Sequence, residues 1–164
     1  MKKYLPFLLL GFLFFAPKAH AAVVYVQGAS STGNFANLTA TFASNVTVND
    51  LIIVGSVSGN GQTSNSATSS CVTGTLTQAG VISTSFQTIF YGFANGTGAC
   101  SVTVTFSGAG SENALIAQDV SGIQTTSPID TSSSLVSSGS SFGSGTSTTS
   151  VNGDYIFGLG GDSG

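Results

Sequence analysis

The chain has 164 residues, of which 41% are hydrophobic and only 5% are charged, and its formal net charge is −3. Its basic side chains and its one histidine all lie near the N-terminus, at Lys2, Lys3, Lys18 and His20. Residues 22–164 therefore offer no basic side chain to neutralise nucleic-acid phosphates or anionic lipids. They also lack a histidine base for a serine or cysteine nucleophile.

The N-terminal segment is organised like a secretory signal peptide. Two lysines follow Met1, residues 4–16 are apolar, and the segment ends in the small-x-small sequence Ala19-His20-Ala21. A membrane-spanning helix needs about 20 apolar residues, more than this run provides. We therefore expect residues 1–21 to be removed as a signal peptide, and an uncleaved anchor is the alternative. The expected location is extracellular or at the cell surface, or periplasmic if the protein is retained in a Gram-negative cell.

Residues 22–164 have the composition of one all-β domain. These 143 residues (164 less 21) contain six carboxylates and no cationic side chain, which gives a side-chain charge of −6. A domain of this length buries about two-thirds of its unfolded surface. Gly, Ser and Thr dominate, but apolar residues recur in runs of strand length, which indicates a folded β domain rather than disorder.

Hydrophobicity with a period of two predicts strands at eight places. They are residues 23–27, 38–43, 51–57, 71–78, 86–93, 101–106, 114–120 and 155–159. Residues 51–57 form a continuous apolar run, which is typical of a strand buried on both faces. Residues 59–70 predict a polar loop, and residues 132–150 predict either a linker or a weak hairpin around Ser137 to Gly145.

Residues 86–106 form the clearest motif in the sequence. Both faces of residues 86–93 are apolar, whereas residues 101–106 alternate between polar and apolar side chains. Asn95-Gly96 lies between the two runs, and this dipeptide tolerates positive φ and closes hairpins. The motif predicts a β-hairpin of one two-sided strand and one half-buried strand.

The spacing of the strands predicts an all-β fold, a two-sheet antiparallel β-sandwich of jelly-roll-like type. One internal similarity is visible between Val48–Gly55 and Val151–Gly158, since both place Asn and Asp before an apolar strand that ends in Gly. The similarity reflects either convergent strand-start chemistry or two equivalent positions in the two halves of a jelly roll.

A set of segments carries a resemblance to a known class of proteins. They are Val48–Gly55, Gln87–Gly92, Ser101–Gly108, Ala117–Ile123, Pro128–Asp130 and Val151–Gly158. In this order they resemble secreted bacterial β-sandwich modules, jelly-roll-like and mostly uncharacterised, that occur in surface and extracellular proteins. The resemblance implies no catalytic residues. The chain departs from the class at Asp119-Val120, where relatives have Glu-Tyr, and relatives continue through further strands after the last segment.

The resemblance implies that the sandwich lacks its final strands and that the domain of residues 22–164 is truncated at its C-terminus. Such a sandwich leaves unpaired backbone groups at a sheet edge, which other proteins protect with lysine or proline. Beyond residue 21 the chain has no lysine, and Pro128 is its only proline. We therefore expect partners at an open sheet edge, either other protein domains or other subunits.

Two cysteines remain after the signal peptide, Cys71 and Cys100, with 28 residues between them. In an exported protein, an isolated pair most often forms a disulfide. The alternative is a pair of free buried thiols. Two cysteines without histidine are too few for a structural zinc site.

The carboxylates are the remaining candidates for chemistry. Asp50 and Asp154 stand at strand starts, where their ordinary role is to accept hydrogen bonds from backbone amides. Together with Glu112 they are weak calcium candidates, because calcium prefers oxygen ligands; otherwise we expect no cofactor. Glu112 lies seven positions from Asp119, so the two face opposite sides of a regular strand, which disfavours a carboxylate-dependent glycosidase.

Tyr25, Tyr91 and Tyr155 are the aromatic residues suited to a sugar platform, although core packing is their ordinary role in apolar strands. From these observations we expect a non-enzymatic, secreted or cell-surface module of structural or adhesion type. The alternative is a carbohydrate-binding, lectin-like jelly-roll module, and a glycosidase is the enzymatic alternative.

Overall fold

The computed structural model describes residues 22–59, 62–79, 86–109, 112–134 and 143–160. Eight strands and no helix occur in these ranges: β1 (Val24–Gly33), β2 (Asn37–Thr41), β3 (Leu51–Val57), β4 (Ser64–Ser69), β5 (Thr77–Gln78), β6 (Gln87–Phe93), β7 (Ser101–Phe106) and β8 (Asn113–Ser121). The signal-peptide prediction and most of the weak hairpin predicted around Ser137 to Gly145 lie outside the described residues. No helix in the described ranges is suited to crossing a membrane.

The strands form two antiparallel sheets. The five-stranded sheet has the order β1-β8-β3-β6-β5, and the three-stranded sheet has the order β2-β7-β4. All the ladders within both sheets are antiparallel. The predicted all-β sandwich of two antiparallel sheets is therefore confirmed.

The hydrophobic core lies between the two sheets, and alternate residues of each strand point into it. The three-stranded sheet contributes mainly β2 and β7, and the five-stranded sheet contributes β3, β6 and β8. Its buried residues include Leu38, Ala40, Val102, Val104 and Phe106 on one side and Ile52, Val54, Phe90, Leu115 and Ala117 on the other.

β3 is buried on both faces, as its continuous apolar run predicts, and its bounds are those predicted. Ile52 and Val54 point into the core, while Leu51 and Ile53 belong to the opposite face of the five-stranded sheet. We call that side the outer face; it comprises Tyr25, Leu51, Ile53, Gly55, Tyr91, Phe93, Ile116, Gln118 and Val120. It is largely apolar, and therefore requires cover from outside the sandwich.

Residues 154–160, the covering segment, lie across the outer face. Tyr155 donates its hydroxyl hydrogen to Gln118 Oε1 at 2.7 Å. A Cβ built on Gly55 would lie 3.0 Å from Leu159 Cδ1 and 3.1 Å from Phe157 Cζ, so the segment rests directly on the sheet. Between these contacts Ile156 points away and is 83% exposed.

The prediction of a strand at residues 155–159 is wrong. The covering segment alternates like a strand, but it forms no ladder with any strand in the described ranges. Val48–Gly55 and Val151–Gly158 are not equivalent positions either, because the first leads into the middle of a sheet and the second lies outside it. The two segments share only the Asn and Asp that precede their apolar residues. They contact each other where Phe157 packs on Gly55.

The predicted hairpin at residues 86–106 is also wrong, although both of its strands exist. β6 belongs to the five-stranded sheet and β7 to the three-stranded sheet, so the chain crosses the sandwich between them. The crossing is fastened to the loop before β3 by a two-way backbone pair between Val46 and Gly98, at 2.9 and 3.1 Å, and by Asn49 N donating to Ala94 O at 2.8 Å. Because β6 has two apolar faces, both of its sides must be covered. Its place next to β3 in the five-stranded sheet provides that cover.

The polar loop predicted at residues 59–70 contains a strand, β4, which the sequence did not indicate. Only Ala67 of β4 is buried, and the strand is held by its pairing with β7 rather than by its own hydrophobicity. Conversely, the weak strand predicted at residues 71–78 shrinks to the two residues of β5.

Gly55→Val should detach the covering segment from the outer face. The branched side chain would overlap Phe157 and Leu159, and overpacking of this kind costs about 1–3 kcal/mol, which makes detachment about 5- to 150-fold more frequent. Chymotryptic cleavage after Phe157, followed by mass spectrometry, should accelerate accordingly.

Gly96→Val is the matched control for this experiment, because nothing lies within 4 Å of a Cβ built on Gly96. If both variants are cleaved after Phe157 at the wild-type rate, the covering segment does not depend on the space above Gly55.

Candidate functional site

The disulfide between Cys71 and Cys100 is present, with the two Cα atoms 5.2 Å apart. Cys71 follows β4 and Cys100 precedes β7, and these strands are neighbours in the three-stranded sheet. Ser69 Oγ lies 3.1 Å and 3.2 Å from the two sulfur atoms. Closing a loop of this length stabilises the fold by roughly 3–4 kcal/mol in the loop-entropy account.

The three predicted calcium candidates lie in different surroundings. Asp50 is buried at the start of β3, whereas Glu112 is exposed before β8 and receives no hydrogen bond on its carboxylate from the described residues. Asp154 begins the covering segment, and its buried Oδ2 has no hydrogen-bond partner among the described residues. No three Asp, Glu, Cys or His side chains converge as a metal-binding group anywhere in the described ranges.

A different pair of acids does come together, at the end of the core where β8 ends and β3 begins. Asp119 on β8 is paired with Ile52, and Asp50 immediately precedes β3 in the same strand phase as Ile52. The two acids are therefore diagonal neighbours across the β3–β8 ladder. Asp119 is 0% exposed and Asp50 is 6% exposed, and we call them the buried acid pair.

The buried acid pair is held by strand β1 and by the loop of residues 43–50. Gln27 Nε2 donates to Asp119 Oδ2 at 3.0 Å and to the carbonyl oxygen of Ser44 at 3.0 Å. Ser44 N donates back to Gln27 Oε1 at 3.0 Å. The second acid, Asp50, accepts a hydrogen bond on Oδ2 from Thr47 N at 3.0 Å.

The electrostatics of the pair are unbalanced. Burial raises the pKa of Asp119 above its ordinary value of 3.8, and the nearby charge of Asp50 raises this pKa further, against the lowering effect of the hydrogen bond from Gln27. Among the described residues, Asp119 Oδ1 has no hydrogen-bond partner. The described residues contain no Lys, Arg or His, so no side chain compensates the two charges. Without a cation, burial and the charge of Asp50 favour the protonated form of Asp119.

Sequence reasoning identified Asp50 but did not place Asp119 beside it. One signal was available, because Asp119 has the same strand phase as Leu115 and Ala117 and so had to face the core. The distance in sequence between Asp50 and Asp119 concealed their proximity, which depends on the pairing of β3 with β8.

The predicted core packing of the tyrosines is wrong, since none of the three lies in the core. Tyr25 is 51% exposed on the outer face, and Tyr155 binds Gln118 there. Tyr91 lines an open cleft of about 370 Å³ beside β5 and β6. The other residues of this cleft are Val72, Thr73, Thr75, Thr77, Gly92, Phe93, Asn95, Thr125 and Pro128.

No protein-family model matches the chain, and no curated protein or solved structure matches it significantly. The assignment of function therefore rests on the geometry of the chain itself.

Asp119→Asn should stabilise the fold at neutral pH and remove part of its pH dependence. Because the pKa of Asp119 is raised in the folded state, the folded protein holds this proton more tightly than the unfolded chain. Its contribution to stability is complete below pH 3.8 and is lost as the pH rises through the folded-state pKa. Asparagine has no proton to lose and can donate to Asp50 instead.

Thermal melting between acidic and neutral pH, with EDTA present, measures this effect. The advantage of Asp119→Asn over the wild type should grow as the pH rises. Glu112→Gln is the control, because it removes an exposed acid at the other end of β8. An Asp119→Asn protein that parallels the wild type at every pH would show that Asp119 does not hold the proton.

Proposed function

We propose that the chain is a non-enzymatic, secreted or cell-surface β-sandwich module of structural or adhesion type, which joins neighbouring domains or subunits through a free sheet edge. The observation that carries this proposal is the edge strand β1. It has ten residues and pairs only with β8 among the described strands, so one side of its backbone is open. Long open edges accept strands from other chains.

The side chains of β1 favour association rather than protection. Val24, Tyr25 and Val26 are 50%, 51% and 47% exposed, and the strand contains no charged residue and no proline. A bulge interrupts the pairing between Tyr25 and Gln27, but the register from Gln27 to Gly33 is regular. Seven consecutive residues therefore present a regular free edge next to an apolar patch.

Secretion is supported by two features of the chain. The N-terminal sequence has the organisation of a signal peptide, and the Cys71–Cys100 disulfide is consistent with an oxidising, extracellular location.

A non-enzymatic role is supported by the arrangement of the acids. Glycosidase carboxylates stand about 5–9.5 Å apart across a cleft. The acids of the buried acid pair lie side by side inside the sandwich, and Glu112 lies seven positions from Asp119, at roughly 3.3 Å per residue.

Val26→Lys tests the open edge, because a charge on an edge strand opposes pairing with another strand. The exported wild-type protein should associate with itself as its concentration rises, as size-exclusion chromatography with light scattering would show. Val26→Lys should shift the population towards the monomer by about tenfold, the effect of roughly 1.4 kcal/mol.

Val48→Lys is the matched control, since Val48 is 46% exposed but lies in the loop before β3 and not on β1. It should associate like the wild type. A wild-type protein that stays a stable, cooperative monomer at high concentration would contradict edge-mediated association between copies.

A carbohydrate-binding role is the second candidate, and the open cleft beside β5 and β6 favours it. The cleft combines the ring of Tyr91 with the amide of Asn95 and several threonine hydroxyl groups. Asn95 Nδ2 donates to Thr73 Oγ1 at 2.6 Å, which fixes the amide at the rim. An aromatic ring beside fixed polar groups is the arrangement that small-ligand sites use.

A glycan array with two tyrosine variants tests this second candidate. Saturable binding by the wild type should fall by about tenfold or more in Tyr91→Ala, given the contact area of an aromatic ring. Tyr25→Ala should bind normally, because Tyr25 is outside the cleft. Absence of binding to any glycan, or equal binding by both variants, would remove the cleft as a sugar site.

A further inference from the structure

Three buried side-chain oxygen atoms of the described residues lack a hydrogen-bond partner: Asn113 Oδ1, Asp119 Oδ1 and Asp154 Oδ2. Asp119 is fully buried, and the β3–β8 register sets it beside a second buried acid, Asp50. The other oxygen of Asp119 is fixed by Gln27, so the free oxygen cannot turn to an alternative partner without breaking that bond. A buried carboxylate oxygen normally has a donor or a cation beside it.

The pair is also short of positive charge. The carboxyl group of Asp50 adjoins Asp119, and the chain after residue 21 has no basic side chain that could reach them. A proton on Asp119 neutralises only half of the charge of two carboxylates. A divalent cation neutralises both, and it would occupy the position in which Oδ1 of Asp119 lacks a partner.

Oxygen atoms lie near the pair, alongside two N–H groups, Gln27 Nε2 and Thr47 N, that donate to its carboxylates. Besides the two carboxyl groups, Gln27 Oε1 and the main-chain carbonyl oxygens of Ser44 and Thr47 belong to the same hydrogen-bonded unit. Carboxylate, amide and carbonyl oxygens without nitrogen or sulfur are the ligands of hard cations. Calcium accepts such mixed and irregular sets, whereas magnesium demands a near-octahedral set and retains its water molecules.

We propose that the buried acid pair of Asp50 and Asp119 is a calcium site, which ties β8 to the start of β3 and to the loop of residues 43–50. The ion enters from the loop side, where Thr47 and Asn49 are exposed. Two carboxylates and a few neutral oxygens make a modest site, and we expect a dissociation constant of about 10⁻⁴–10⁻³ M, as in other extracellular modules.

Calcium titration of the EDTA-treated, exported protein tests the proposal. At calcium concentrations of about ten times the dissociation constant, the ratio of folded to unfolded protein should rise about 11-fold, and Tm should increase by roughly 3–6 °C. Calorimetry should find one calcium ion per chain.

Asp119→Asn and Asp50→Asn should both abolish the calcium-dependent increase in Tm, and Glu112→Gln should retain it. Magnesium chloride, and sodium chloride at matched ionic strength, should produce little or no increase. If one variant fails to fold, the other variant and the wild-type titration still show whether the buried acid pair binds calcium.

An unchanged Tm and no heat of binding in the wild-type protein would overturn the proposal. That result, combined with an Asp119→Asn protein that is more stable than the wild type at neutral pH, would assign the pair as a structural unit in which Asp119 is protonated. An increase that persists in both asparagine variants would place the calcium elsewhere and would equally overturn it.

Discussion

The burial of β3 on both faces is the constraint on which the rest of the structure depends. A strand with apolar residues on both sides is stable only between two covering layers. On one side the three-stranded sheet covers Ile52 and Val54, and on the other side the covering segment lies over Gly55. The absence of a side chain at Gly55 is what allows Phe157 and Leu159 to approach so closely.

The second feature of the fold is the contrast between an apolar sandwich and the polar cluster at its end. Gln27 and Asp119 lie on the neighbouring strands β1 and β8, and Asp50 ends the loop of residues 43–50 just before β3, the next strand of the sheet. Such a cluster costs desolvation free energy that an apolar replacement would avoid. Its contacts connect β1, β8 and β3 to one loop, so it defines how that end of the sandwich is closed.

Part of the candidate site could be read from the sequence. The position of Asp50 before a buried strand, and the disulfide of an isolated cysteine pair, both follow from local pattern and composition. The partnership of Asp50 with Asp119 could not be read, because 68 positions separate them and only the β3–β8 register brings them together. The exposure of Tyr25 could not be predicted from the sequence either. An alternating pattern shows that one face of a strand is apolar, but not whether that face lies in the core or on the outer side of the sheet.

The sequence by itself determined the class of the fold and the positions of most strands, because alternation and apolar runs are properties of neighbouring residues. β3 was predicted to the residue, and β8 within one residue at each end. Only the tertiary structure decided which strands pair. β6 and β7 are close in sequence but belong to opposite sheets, and β4 is a strand only because β7 lies beside it. The covering segment has the same alternation of side chains as a strand. It is not a strand because its backbone pairs with none of the described strands. A local sequence pattern cannot show whether such a partner is present.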